Sequence, residues 1–452
     1  MFLITVIAIV LMFVVYQRKN QGKFGAVSFL MSLYIVMCMS ALVLYFFFDY
    51  DSLYNVQFEP MLYLSLCLCI SFFGVFNYSD KRITILIIDN WKLLHVLEIF
   101  QIVTSMMAIV FFLPFAIQGL TGDVAQNRQD VQFFGTGMES YGILNSIFSI
   151  FGNLFVVSIL LSFINFATIG AGGSRLRGKI LLSLSGVYII YVLAYVGRDS
   201  LVYWLFSFLF IYLIIKDFIP SIEQREIMKL FRRIAAAALI PFVLITLARF
   251  SSQSDTVIEH KNSELFSIFD YTGQQFFDFN DQYLADAPPM NGMVNFGQIL
   301  DISSAILGTA KQKLDRYEMF DLYGSSGAIV WRFSTFVGSW LQDFGRMGTL
   351  IAVSILAISL RLSLRKQAVT GVLSFTSILY FIVLSQILLF GVFYYRQYGT
   401  SIAQLTLLFI AVLFSVFKGK GTPVIVTKPT AKKKDNCFKK GVLITNQSSR
   451  FV

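Results

Sequence analysis

Seven arginines could do chemistry as a set: Arg128, Arg198, Arg249, Arg316, Arg332, Arg346 and Arg396. A guanidinium is a planar fork of donors that fits a phosphate or carboxylate with two parallel hydrogen bonds, which a lysine cannot do. Several such forks converging from separate breaks would bind a diphosphate without a metal. For any one of them the plainer reading is a side chain reaching to a membrane interface, or a local ion pair such as Arg198–Asp199. The candidate proton acceptors are the carboxylates Asp199, Asp281, Glu318 and Asp343, because a general base must lie within hydrogen-bond reach of an attacking hydroxyl. Of the two histidines, His95 ends an apolar run on the opposite side, and His260 sits in the hydrophilic stretch Ile258–Asn262. There is no phosphate-cradling glycine loop, no paired histidine–carboxylate metal motif and no serine-hydrolase elbow. No ATP coupling, metal or cofactor is expected.

The elements that must position these residues are apolar. Of the 452 residues 56% are hydrophobic and only 14% charged, with 48 Phe and 21 Tyr, and the mean hydropathy is +0.71. Soluble domains carry about 25% charged residues. A membrane-crossing helix needs about 20 apolar residues. The sequence offers about eleven such runs, near 2–16, 24–48, 58–77, 93–115, 143–168, 180–196, 201–216, 234–250, 346–362, 370–393 and 402–417. The expected fold is therefore an all-α integral membrane protein, a polytopic bundle of about eleven transmembrane helices (10–12). Every second break is rich in lysine and arginine, which by the positive-inside rule puts the N-terminus outside and the C-terminus in the cytoplasm. The first run has no basic residue ahead of it, so it does not read as a cleaved signal peptide.

Residues 1–417 form the expected membrane domain, and 251–345 its large external loop. Between Phe250 and Ala328 there are eleven acidic residues against four basic ones, with no run able to cross a bilayer. Phe269–Tyr283 alternates aromatic and polar residues, so aromatics such as Tyr283 could stack on sugar rings; the competing reading docks them onto the bundle. Within the loop, Ile299–Leu307 and Leu314–Leu322 are expected as short helices, and Ile329–Phe344 as an amphipathic lead into the next crossing. Residues 418–452 carry nine basic residues and one acidic, and read as a disordered cytoplasmic tail near anionic lipid. No nucleic-acid fold accompanies that charge. Cys38, Cys67, Cys69 and Cys437 imply no disulfide framework.

Taken together, the run pattern, the Arg128 loop, Gly197-Arg198-Asp199 ahead of an apolar run, Arg249 opening the large loop, and Gly338–Gly348 with its Asp343-Phe344-Gly345-x-x-Gly348 piece resemble the Wzy-type oligosaccharide repeat-unit polymerases. These are the O-antigen and capsule polymerases of the bacterial inner membrane. Some members carry an arginine followed by glycine after ten or fifteen residues in two external loops. Arg316 to Gly327 and Arg332 to Gly348 match those spacings, but the Arg128 loop matches neither.

The resemblance implies a metal-independent glycosyltransferase on the periplasmic face. A glycan held on undecaprenyl diphosphate would be transferred to the terminal hydroxyl of a new lipid-linked repeat. Arg249 and Arg198, with Asp281 or Glu318 as proton acceptor, would be catalytic. Arg128, Arg332, Arg346, Arg396, Asp199 and Tyr283 would bind substrate. The implied partners are the lipid-linked oligosaccharide, the bilayer, a chain-length-determining co-polymerase and a flippase. The alternatives are an O-antigen ligase, which would use an external-loop histidine such as His260, and a lipid-linked oligosaccharide flippase or other transporter.

Overall fold

The structure is a computed structural model. It describes residues 2–48, 55–121, 123–124, 126–127, 141, 143–197, 199–251, 264–285, 287–308, 333–393, 400–418 and 422–428. In chain order the elements are α1 (Leu3–Lys19), α2 (Ala26–Phe47), α3 (Phe58–Val75), β1 (Ile85–Ile88), α4 (Trp91–Leu120), α5 (Ile143–Asn153), α6 (Phe155–Ala167), α7 (Arg175–Leu184), α8 (Val187–Leu193) and α9 (Ser200–Ile215). There follow α10 (Ser221–Ser251), α11 (Glu264–Ala285), α12 (Gly297–Leu307), α13 (Thr335–Ser363), α14 (Arg365–Thr370), β2 (Val372–Ser374), α15 (Phe375–Phe390), α16 (Thr400–Val416) and β3 (Val424–Thr427).

The chain is mostly helical, at 78%. Seven helical segments are long and apolar enough to cross a membrane: Ala26–Phe47, Phe58–Val75, Trp91–Leu120, Leu144–Ala167, Arg175–Leu193, Ser200–Phe218 and Thr335–Ser363. The surface pattern of α4 is that of a helix in lipid. Val96, Ile99, Val103, Met106, Val110 and Ile117 are exposed, while the polar Glu98, Gln101, Thr104 and Ser105 are buried. Spacings of three and four put each set on one face. Seven is fewer than the eleven crossings expected. Phe375–Phe390 and Ser401–Val416 are apolar but shorter. The run near 234–250 is the second half of the 31-residue α10, whose first half is charged.

The helices belong to two compact units. The first comprises residues 1–80, 254–365 and 381–405. Here α11 lies along α2, and α13 along α3. Glycines permit the close approaches, as small residues do between membrane helices. A Cβ on Gly273 would fall 2.6 Å from the Ala41 nitrogen, and one on Gly74 would fall 2.7 Å from Cα and the carbonyl oxygen of Ala357. Gly74→Val is expected to cost on the order of 1–3 kcal/mol, checked by the thermal midpoint of the purified chain in detergent. In α13, Gly345 has φ 63° and ψ −176°, a conformation that favours glycine. It divides the helix into Thr335–Phe344 and Arg346–Ser363.

Within the interval 251–345, expected as a large loop with short helices, α11 is a 22-residue helix that the sequence reading did not place. Its aromatics are packed away: Phe276, Phe277, Phe279 and Tyr283 are buried, and the Phe2 ring meets those of Phe276 and Phe277 at 5.5 and 5.8 Å. Docking onto the bundle therefore describes this stretch, and open stacking on sugars does not. The expected short helix at Ile299–Leu307 is present as α12, and Thr335–Phe344 does lead into an apolar helix. Leu314–Leu322 lies outside the described residues.

The second unit comprises residues 81–253, 366–380 and 406–452. Two of its long apolar segments are interrupted. Leu154 separates α5 from α6, and Ser185-Gly186 separates α7 from α8. The backbone at each break is served locally: Gln101 Nε2 donates to the Leu154 carbonyl at 3.3 Å, and Ser185 Oγ donates to the Leu182 carbonyl. Lys179 and Lys229 both reach Glu226, at 3.1 and 2.9 Å. Hydrogen bonds from Lys229 and Lys179 hold its carboxyl down to about 2. Its share of stability is present above the ordinary carboxylate range and is lost as pH falls through about 4.5 toward 2.

The mostly helical chain agrees with the all-α expectation, and it adds one small three-stranded sheet in the order β2-β1-β3 that the sequence did not announce. β1 runs parallel to β2, with Ile85 opposite Val372, and antiparallel to β3, with Ile88 opposite Val424. β3 corrects the tail, because the described structure continues to Lys428. Lys418 lies 3.6 Å from Asp89, and Lys428 lies 3.0 Å from Asp217. Residues 429–452 lie outside the described residues. A chain stopped after Gly421 is expected to lose thermal stability relative to one stopped after Lys428, by about 1–2 kcal/mol, since it removes one short ladder and the Lys428–Asp217 ion pair. Parallel melts in the same lipid check this.

Candidate functional site

Of the residues singled out from the sequence, Arg128, Arg198, Arg316, Arg332, Arg396, His260 and Glu318 lie outside the described residues. Arg249 is on the last turn of α10, and its side chain also lies outside them. Asp199 is the N-cap residue of α9, without a side-chain capping bond. Arg346, Tyr283, Asp281 and Asp343 are described, all within the first unit, and two of them meet.

Arg346 is the first residue after the Gly345 break. Its Nη2 donates to the Tyr283 carbonyl at 3.1 Å, and its guanidinium carbon lies 4.1 Å above the Tyr283 ring. Its Nη1 is 3.7 Å from Glu59 Oε1. Tyr283 Oη donates to the same Glu59 oxygen at 2.7 Å. Tyr63, one turn along α3 from Glu59, donates from Oη to the Arg346 carbonyl and packs on Tyr283 with ring centroids 5.1 Å apart. The segment leading into α3 is tied to α11 through Asn280, which accepts from Gln57 N at 2.9 Å and donates to the Asn55 carbonyl. These groups border a small recess, partly open to solvent, lined by Gln282, Tyr283, Ala287, Leu341, Gln342, Gly345 and Arg346.

This arrangement presents one cation on a rigid support. The Tyr283 ring and carbonyl fix the guanidinium, yet its side chain is 38% exposed and that of Glu59 68%. An exposed contact at 3.7 Å contributes little, so an incoming anion can replace Glu59 as the partner of Nη1. The freed Glu59 carboxylate would stand beside the bound anion as a proton acceptor. Asp281, one of the candidate bases named from the sequence, is half-buried and accepts from its neighbour Asn280 at 3.1 Å.

Asp343 is corrected as a base. It is wholly buried and accepts from the Val294 and Asn295 amides at 2.9 and 2.8 Å and from the Asn295 side chain. It fastens the turn 290–295 to α13, where Asn291 and Gly292 both have positive φ. The Asp343-Phe344-Gly345-Arg346 run thus divides its labour: Asp343 anchors, Phe344 packs on Phe296, Gly345 breaks the helix and Arg346 projects. Glu59, Tyr63, Gln282 and Gln342 were missed. Only Glu59 left a signal, as a carboxylate at the start of an apolar run.

The second unit holds a separate buried charge, also missed. Glu98 is wholly buried in α4. Asn165 donates to its Oε1, Arg177 Nη1 donates to Oε2 at 3.0 Å, and His95 Nδ1 lies 2.7 Å from Oε2. Arg177 also donates to the Gly172 carbonyl at 3.0 Å, and Ser174 N donates to Asn165 Oδ1 at 3.1 Å. The cluster therefore ties the turn between α6 and α7 to the start of α4. Among the described residues, no three His, Cys, Asp or Glu side chains gather as a metal site would need.

Comparison with family models, with curated proteins and with solved structures finds no match to this chain.

Proposed function

We propose that the chain is a multi-pass glycosyltransferase of the repeat-unit polymerase type, in the bacterial inner membrane. In this reading about eleven crossings put the N-terminus in the periplasm and the C-terminus in the cytoplasm. The observation that carries the reading is Arg346, held over Tyr283 at a helix break, half-exposed in a recess with Glu59 at its side. The substrate is a growing glycan on undecaprenyl diphosphate. The acceptor hydroxyl of the next lipid-linked repeat attacks the anomeric carbon. The carbon–oxygen bond to the diphosphate breaks, and its electron pair leaves with the diphosphate. A positioned guanidinium stabilises that developing charge. The hydroxyl proton passes to a carboxylate, for which Glu59 now stands beside Asp281 and Glu318 as a candidate. A co-polymerase and a flippase are the expected partners.

The test is complementation of a deletion strain. Arg346→Lys and Glu59→Gln should each shorten or abolish the polysaccharide ladder and leave single-repeat material. The sequence-derived Arg198 and Arg249 are tested by their own lysine variants. Full-length ladders from Arg346→Lys and Glu59→Gln together would remove this site from the reaction.

One observation favours a second reading, a lipid-linked oligosaccharide flippase or transporter. A charge buried inside a crossing is what transport proteins use, and Glu98, wholly buried in α4, is such a charge. Under that reading, loss of function would leave lipid-linked repeats on the cytoplasmic side.

A further inference from the structure

The first two turns of α13 bury polar groups that the fold leaves without hydrogen-bond partners: Gln282 Oε1, Asn295 Oδ1, Ser334 Oγ, Thr335 Oγ1 and the Trp340 indole nitrogen. Each of the five residues is at least nine-tenths buried. An orphaned buried donor or acceptor costs its full desolvation, so five around two helical turns call for an occupant. Their other atoms hold them in place. Gln282 Nε2 donates to the Gly338 carbonyl at 2.8 Å, and Asn295 Nδ2 donates to the Ser339 carbonyl at 2.8 Å. Gly338 lets the backbone lie close against two of them. A Cβ there would stand 2.6 Å from Ser334 Oγ and 3.0 Å from Gln282 Oε1.

The backbone carries a second sign. Thr335 is β-branched and wholly buried, yet has φ +63°, a strained conformation of the kind that marks functional sites. The helix terminus itself is not open to an anion. The Thr335 and Phe336 amides donate to the Phe393 and Gly391 carbonyls at 2.7 and 2.8 Å, and the Gly338 amide donates to the Ser334 carbonyl.

We propose that this seam is a second, buried binding site adjoining the Arg346 recess, and that it takes neutral hydroxyl groups. The orphaned set is two amide oxygens, two hydroxyls and one indole N–H, with no unpaired formal charge. The two amide oxygens need donors, the indole N–H needs an acceptor, and a hydroxyl is both. The Phe336 and Trp340 rings, 5.4 Å apart, add apolar surface on which a sugar ring can rest. Gln282 also lines the recess, so the hydroxyls enter from that side. Two sources supply this chemistry, a sugar and ordered water. If the proposed function holds, the seam is where the glycan beside the diphosphate is gripped; water occupancy needs no part of that reading.

The test uses the full chain in nanodiscs, reading Trp340 as the difference between wild type and Trp340→Phe. Methyl α-glucopyranoside and methyl α-galactopyranoside are the neutral probes. Deuterium exchange of the indole, read by ultraviolet resonance Raman, reports water. A saturable emission change with either glycoside, weakened roughly tenfold by Gln282→Ala, identifies a sugar site. Ser334→Ala serves the same purpose if Gln282→Ala does not fold. No glycoside response with rapid indole exchange identifies water. A Trp340 indole that neither responds to glycosides nor exchanges would overturn the proposal. The ladder assay on Arg346→Lys reads the proposed reaction separately, so the two can fail independently.

Discussion

Arg346→Ala is expected to lower polymer output by about 100-fold or more, the cost of removing one preorganised donor from a site where charge develops. The argument rests on what holds the side chain. Its Nη2 is fixed by the Tyr283 carbonyl and its plane by the Tyr283 ring, so the outward edge, now 3.7 Å from Glu59, is set before substrate arrives. Lysine keeps the charge but has no fork and no flat face. It cannot rest on the ring, bond the carbonyl and still present two donors. Arg346→Lys should therefore fall between, at roughly tenfold loss. Glu59→Gln makes the complementary change, because a glutamine oxygen can still accept from Tyr283 Oη while losing its basicity. The readout is ladder density normalised to protein level on an immunoblot. A purely structural Arg346 would lower abundance in step with the ladder. Normal ladders at normal abundance in Arg346→Ala would falsify its assignment to the reaction.

The long apolar helices were legible because lipid selects a simple signal, length and hydropathy, and α2, α3 and α4 carry it without interruption. Helix α11 was not. Its buried face mixes Phe276, Phe279 and Tyr283 with Gln275, Asp278 and Gln282, so a hydropathy window averages the aromatics against the amides and reports a polar loop. Partners such as the Gly338 carbonyl, which receives Gln282, lie 56 residues away, and no local pattern announces them. The sheet was missed for a similar reason. Val424–Thr427 is a strand-like run of β-branched residues, but it stands among lysines, and its partner β1 is more than three hundred residues earlier in the chain. Arg346 and Tyr283 were legible as residue types, arginine and aromatic on one polar interval. Their meeting was not, since it depends on the Gly345 break and on how α11 packs. Asp343 shows the converse: the motif pointed to it, and its chemistry turned out to be three hydrogen bonds to a turn.

Glu98→Ala should strongly destabilise the second unit. The carboxylate is wholly buried and meets an asparagine, an arginine and a histidine. Alanine strips all three at once, leaving Asn165 Nδ2 with only the Leu161 carbonyl and Arg177 with the Gly172 carbonyl and His95. Breaking a buried charge pair from one side costs about 3–5 kcal/mol. The Arg177 side chain is 34% exposed, so water recovers part of that, and about 2–4 kcal/mol is the expected loss. Glu98→Gln should cost less, because its amide oxygen still accepts from Asn165 and only the charge is gone. The decisive comparison is the double variant Glu98→Met with Arg177→Met. If the cluster is held by the pairing itself, removing both charges should restore much of the stability lost by removing one. Thermal midpoints of the wild type, Glu98→Met, Arg177→Met and the double variant in the same nanodisc close the cycle. Additive losses would mean that Glu98 and Arg177 act independently, with the carboxylate serving Asn165 and the turn at Ser174 alone.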